Sequence, residues 1–212
     1  MLNVILIGPQ GSGKGTQAQL IAKEFGLKHI EMGLLIRCRV QQHNNKSAII
    51  DHLVNKKGML LPDGIVLDMI YDELKEQPNK QGYLFDGFPR TVKQYQALKE
   101  FLKEKGLKLN VALYFNISDD EAMKRLGVRK ICRLCKKVYS QQLEPERVTC
   151  DCGGALIKRA DDESLTISSR LAAFHQHTKP ILMMMKKDGV FREINGEQTI
   201  ENIFIDIKKQ LK

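Results

Sequence analysis

The stretch Gly8-Pro9-Gln10-Gly11-Ser12-Gly13-Lys14-Gly15-Thr16 follows directly on the apolar run Leu2-Asn3-Val4-Ile5-Leu6-Ile7. The order is a short β-branched strand, a glycine loop, and an amphipathic helix carrying Leu20, Ile21 and Phe25. Gly8-x4-Gly13-Lys14 has the spacing of a phosphate-binding loop, with the hydroxyl residue one place late at Thr16. Glycines let backbone N–H groups converge on phosphate oxygens with no Cβ in the way. The helix N-terminus adds partial positive charge. Lys14 offers a mobile point charge for the outer phosphates, and Thr16 a hydroxyl that can support magnesium. A glycine-rich turn without a ligand is the alternative, and the agreement of strand, loop and helix argues against it.

Outward from that loop, strand-like runs recur at Val4–Ile7, Gly82–Phe85, Val111–Phe115 and Val190–Ile194, with a further short one at 28–31. Helical patterns lie between them at 14–25, 62–76, 91–105, 118–126, 163–187 and 199–211. This alternation predicts an α/β fold: a parallel sheet with helices on both faces. Two segments break the pattern. Residues 32–61 read as a small helical insert, with Asp63 placed to cap the next helix. Residues 130–160 are basic, turn-rich and cysteine-bearing. Ligands of open α/β sheets bind beyond the carboxyl ends of the strands, and the two inserts would flank that edge.

A chain of 212 residues suits one α/β domain with inserts. Aromatics make up 6% and Trp is absent, so aliphatic side chains must fill the core. No segment reaches the ~20 apolar residues of a membrane span. The N-terminal run is too short for a signal peptide, which makes a cytosolic protein the simplest reading. The net charge is +9, and residues 124–160 hold ten basic against three acidic residues. Such a segment suits a polyanionic partner, either nucleic acid or clustered nucleotide phosphates. A merely solvated basic face is the alternative.

Three constellations carry chemistry. Tyr83-Leu84-Phe85-Asp86-Gly87-Phe88-Pro89-Arg90-Thr91 ends a buried strand in a carboxylate that can hold magnesium through water, with Arg90 placed to reach a second phosphate. Arg37, Arg90, Arg125, Arg129, Arg159 and Arg170 offer planar forks of donors, and phosphoryl transfer depends mostly on positioning and charge stabilisation. Cys132-x2-Cys135 and Cys150-x-Cys152 read as a structural zinc site, ahead of iron or disulfides. The second pair is one residue shorter than usual. Cys38 is expected to be a small buried hydrophobe. His175 and His177 do not share a helix face, so packing or solvation is expected of them. Met183-Met184-Met185 is expected in the core.

With these pieces assembled, the chain resembles an adenylate kinase with a zinc-bearing lid, nearly end to end. The residues carrying the likeness are Gly8–Gln17, Asp86–Thr91 with Gln94, the four cysteines, and Arg159-x-Asp161-Asp162 followed by Arg170. The resemblance implies one P-loop kinase domain. Its core would be 1–30, 62–127 and 163–212, its NMP-binding insert 31–61, and its lid 128–162. It implies the reaction Mg-ATP + AMP ⇌ 2 ADP, with Mg2+ and structural Zn2+ as cofactors and ATP and AMP as partners. A monomer in the cytoplasm is expected, with no membrane or nucleic-acid role.

The resemblance also implies site roles. Lys14 and the backbone of Gly11, Ser12, Gly13, Gly15 and Thr16 would hold the ATP phosphates. Arg125 would lie against the ATP adenine, and Gln198 would also contact ATP. Arg129, Arg159 and Arg170 would gather round the transferring group, Asp161 and Asp162 would help hold the lid closed, and Asp86 would order magnesium's waters. AMP would meet Arg37 and Arg90 through its phosphate and Gln94 through its base. Met32, Met59, Leu60, Leu61, Gly87, Phe88, Pro89, Arg159 and Arg170 would complete that subsite. Lid and insert would close over the nucleotides and exclude water.

Residues 31–34, Glu31-Met32-Gly33-Leu34, depart from the family's usual Ser-Thr-Gly-Asp. A hydroxyl has become a thioether and a carboxylate has become Leu34, which keeps a kinase for another nucleoside monophosphate in play. A nucleic-acid-binding module and a nucleotide sensor are further alternatives. With only Tyr139 aromatic in the lid, base stacking there would be poor.

Overall fold

In β1 (Val4–Ile7) all four side chains are buried. Successive strand residues point to opposite faces, so Ile5 and Ile7 enter one apolar layer and Val4 and Leu6 the other. A strand clothed on both sides belongs in the middle of a parallel sheet. The computed structural model, which describes residues 1–41, 45–57, 59–76, 79–135, 137–140, 144–158 and 164–211, shows that arrangement.

The main sheet contains β2 (Lys28–Glu31), β3 (Tyr83–Asp86), β1, β4 (Val111–Asn116) and β8 (Phe191–Asn195), in the order β2-β3-β1-β4-β8. Every neighbouring pair is parallel. One face is covered by α1 (Lys14–Phe25) and α9 (Ile200–Leu211), through Ala18, Ile21, Ile203 and Ile207. The other takes Tyr95 and Leu98 of α5 (Val92–Glu104) and Ile181 and Met185 of α8 (Ile181–Lys187). β1 lies between β3 and β4, so the loop after it opens into the crevice beyond the strands' carboxyl ends.

The insert consists of α2 (Met32–Val40), α3 (Asn45–Asp51) and a widened turn, His52–Lys56, before α4 (Asp63–Glu76). The cysteine segment follows α6 (Asp119–Gly127) and forms a second, antiparallel sheet: β5 (Arg129–Cys132) between β6 (Val138–Ser140) and β7 (Leu156–Lys158).

Three expectations need correction. The helix expected over 163–187 is broken into α7 (Ser164–Ala173), a π-turn at Phe174–Thr178, and α8. Pro180 has no N–H and its ring crowds the preceding turn. That turn widens, and the N–H of Lys179 reaches back to the carbonyl of Phe174. Cys38 is exposed, because α2 buries the stripe of Met32 and Ile36 and Cys38 lies on the opposite side. Met183 is 64% exposed while Met185 is fully buried, so only part of the methionine run is core.

Candidate nucleotide-phosphate site

The loop after β1 is shaped by glycine. Gly11 and Gly13 have φ of 83° and 85°, in the left-handed region that L side chains avoid. A Cβ on Gly11 would lie 2.8 Å from the carbonyl oxygen of Ala122 in α6. Gly13 caps α1, and the helix opens with Lys14. The Lys14 ammonium folds back under the loop and donates to the carbonyls of Gly8 (2.8 Å) and Pro9 (2.7 Å) and to Ser12 Oγ (3.0 Å). The residue keeps partial surface access, but the ammonium itself is enclosed by protein. Desolvation lowers its pKa to about 8, Arg90, Arg129 and Arg170 push the same way, and Asp86 opposes them. These five side chains therefore share one electrostatic neighbourhood. Ser12 is buried and Thr16 is exposed.

Asp86 ends β3 beside this loop. Its Oδ2 is the nearest atom that a Cβ on Gly15 would meet, at 3.7 Å. His29 Nε2 stands 3.5 Å from the same oxygen. The turn after Asp86 places Arg90, whose Nε donates to the carbonyl of Gly87 (2.8 Å). The Arg90 N–H donates to Gln94 Oε1 (2.7 Å), and Gln94 Nε2 and Thr91 Oγ1 both donate to Asp63 Oδ1 (2.8 Å each). Asp63, expected as a helix cap, is the first residue of α4. It ties the end of the insert to α5, a role with no local sequence signal because its partners lie about thirty residues on.

Met32, Met59, Leu60, Leu61, Gly87, Arg90 and Gln94 are among the residues that line a mostly apolar pocket. Phe88 does not join them. Its ring is fully buried beside Phe85 in the core, and its peptide bond to Pro89 is cis. Arg37 is held by Glu31, with Nη2 2.7 Å from Oε1. Gly33 leaves room for that pair, since a Cβ there would lie 3.0 Å from Arg37 Nη1.

Arg125 spans from α6 to the loop after β8. Its Nε donates to Glu121 Oε1 (2.6 Å) and its Nη1 to the carbonyl of Gly196 (3.0 Å). Glu197 in that loop accepts the N–H and hydroxyl of Ser118, and these bonds, the backbone N–H first, lower its pKa. Gln198 donates to the carbonyl of Asn195 and to Asp206. Arg129 opens β5, and Arg170 is buried on α7. Arg159, Asp161 and Asp162 lie outside the described residues.

Cys132, Cys135, Cys150 and Cys152 bring their sulfurs within 4.8 Å of one another. Tetrahedral zinc–thiolate bonds of about 2.3 Å place sulfurs about 3.8 Å apart, and two pairs stand at 3.4 Å (Cys135 with Cys150) and 3.5 Å (Cys132 with Cys152). All four are free thiols, and the donor set fits a closed metal site. The short second pair closes because the chain turns sharply: Gly153 N–H bonds to the carbonyl of Cys150, and Cys150 N–H to that of Gly154. Gly154 has no room for a side chain, since its Cβ would lie 2.6 Å from Cys132 Sγ. The Cys152 N–H and the Tyr139 hydroxyl bring the Cys150 thiol down to about 6.

Residues 6–190 match the family described as adenylate kinase. The chain belongs to the adenylate kinase family. It is 34% identical to an adenylate kinase of Caldanaerobacter subterraneus, over 99% of this chain and 96% of that one. It is 36% identical to one of Carboxydothermus hydrogenoformans over the full length of both. It is 38% identical to one of Methanothrix thermoacetophila, over 99% and 98%. An enzyme of the adenylate kinase family is a nucleotide phosphotransferase, which agrees with the cluster around Lys14. Among the described residues no helix is long and apolar enough to cross a membrane.

Proposed function

We propose that the protein converts Mg-ATP and AMP to two ADP by direct in-line phosphoryl transfer, with the core, insert (31–61) and lid (128–162) acting as separate parts. The observation that carries the site assignment is the enclosed Lys14 ammonium, which shares its surroundings with Asp86, Arg90, Arg129 and Arg170. One ammonium and three guanidinium groups concentrate donors and positive charge where phosphates would bind. Lys14 and the loop N–H groups hold the ATP phosphates, and Arg125 and Gln198 border the ATP base. Asp86 and Thr16 would hold magnesium, which supplies charge neutralisation on the phosphate oxygens. Arg129, Arg159 and Arg170 surround the transferring group. Arg37 and Arg90 take the AMP phosphate, while Gln94, Met32 and the 59–61 segment border its base. Asp161 and Asp162 hold the lid closed. The four cysteines would hold zinc, which would brace the lid as one rigid body, and the protein works as a cytoplasmic monomer.

A second reading, wider choice of monophosphate base, is favoured by Met32, which brings a thioether to the apolar pocket where family members have a hydroxyl. The site assignment is tested with Arg129→Ala and Arg170→Ala. Loss of one preorganised donor of this kind lowers kcat by about 10²–10³-fold. Both variants folded and within about threefold of the wild-type kcat would contradict it.

A further inference from the structure

The lid's metal cluster has a neighbour that does not ligate. Tyr139 sits on β6, opposite Lys130 of β5, and is 6% exposed in a small core with Cys132, Cys150 and Leu156. Its hydroxyl lies 3.1 Å from Cys150 Sγ. The same oxygen accepts the backbone N–H of Asp151 at 3.4 Å and stands 3.2 Å from Asp151 Oδ2. The phenol therefore sits inside the Cys150-Asp151-Cys152 turn, touching the first ligand and the backbone of the residue between the two.

One hydroxyl proton cannot serve both the sulfur and the carboxylate. The carboxylate is already supplied: Lys137 Nζ donates to Asp151 Oδ2 at 2.6 Å, and Arg147 Nη2 pairs with Oδ1. Both cations also stack on the Tyr139 ring, Arg147 Cζ at 4.6 Å and Lys137 Nζ at 5.3 Å from its centroid. They fix the ring and occupy the competing acceptor. A metal-bound thiolate can only accept, so it takes the phenol proton.

We infer that Tyr139 is the positioning residue of the lid's metal site, donating its O–H to the Cys150 sulfur while receiving the Asp151 N–H, and so holding the shortened Cys-x-Cys pair at ligating geometry. This rests on reading the four cysteines as a zinc site. The side chains of Lys137, Arg147 and Asp151 meet the cluster at Tyr139.

The test uses the full chain, loaded with Zn2+ or Co2+, as wild type, Tyr139→Phe and Asp151→Ala. Zinc affinity is read by competition with a coloured chelator, and the cobalt forms by their thiolate-to-metal charge-transfer band. Loss of an outer-shell hydrogen bond weakens metal affinity about 10–100-fold. Tyr139→Phe is expected to show that loss, and its charge-transfer band moves to longer wavelength because the sulfur lone pair is no longer stabilised. Asp151→Ala keeps both the phenol and the turn N–H and is expected to stay within about threefold of wild type. If Tyr139→Phe matches wild type in both readouts, the inference fails and the zinc assignment stands. If Asp151→Ala loses as much as Tyr139→Phe, the effect belongs to the surface charge cluster and the inference fails. If wild type takes up neither metal, the zinc assignment itself fails. Should Tyr139→Phe fold poorly, the band position in its cobalt-loaded folded fraction decides.

Discussion

Raising the pH above 8 weakens ATP binding through Lys14. Its pKa is lowered from 10.5 to about 8 by burial and by Arg90, Arg129 and Arg170. At pH 9 the nucleotide-free protein then keeps that proton in only about one molecule in ten. A bound triphosphate favours the ammonium and drives its pKa back up. The sign is fixed by this contrast. Between pH 8 and 10.5 the free fold has shed a proton that the ATP complex retains, so binding must take one up and grows weaker as pH rises. The apparent Kd rises about tenfold per pH unit in that window. Titration calorimetry with Mg-ATP at pH 7, 8 and 9, in buffers of differing ionisation enthalpy, measures both quantities. Proton uptake should be near zero at pH 7 and approach one per ATP at pH 9. Lys14→Arg stays charged throughout and flattens the dependence. A Kd that is flat from pH 7 to 9 in the wild type, without proton uptake, would refute the reasoning.

Other perturbations are equally direct. Glu31→Gln releases Arg37 from a competing carboxylate and lowers the KM for AMP about twofold to fivefold, the scale of a partly exposed ion pair, with kcat unchanged; an unchanged or raised KM in steady-state assays counts against that competition. Gly11→Ala forces a left-handed φ of 83° and a contact with the Ala122 carbonyl, at a cost of about 1–3 kcal/mol. Thermal melting checks this, and an unshifted Tm would mean the loop yields freely. Chelation of zinc-loaded protein is expected to lower the melting temperature more than it lowers activity in the cold, because the described core of the lid is small: Cys132, Tyr139, Cys150 and the partly buried Leu156. Equal melting of zinc-loaded protein with and without chelator would contradict that role.

The chemistry of the core was legible because it is local. A β-branched run followed by spaced glycines and Lys14 admits few structures, and β1, α1 and the enclosed ammonium follow from it. The turn from Asp86 to Arg90 was legible for the same reason. The break in the helix expected over 163–187 had a local signal in Pro180 that apolar periodicity overrode. The exposure of Cys38 and Met183 depends on which stripe of a short helix meets the core, and periodicity over 9 or 7 residues leaves that loosely determined. The lid strands are three or four residues long and too short to show alternation. Asp63 with Gln94, Glu31 with Arg37, and Tyr139 with Cys150 are contacts made by the fold, and nothing in the sequence spacing announces them.

Initial rates of ADP formation from Mg-ATP, with AMP, GMP, CMP and UMP offered separately, bear most directly on the central claim. Fast turnover with AMP and slow turnover with the other three is the predicted result, with Met32 and Leu34 tolerated in the insert. Equal or faster turnover with another monophosphate would contradict AMP as the substrate, and silence with all four from folded, zinc-loaded protein would contradict the phosphotransferase account as a whole.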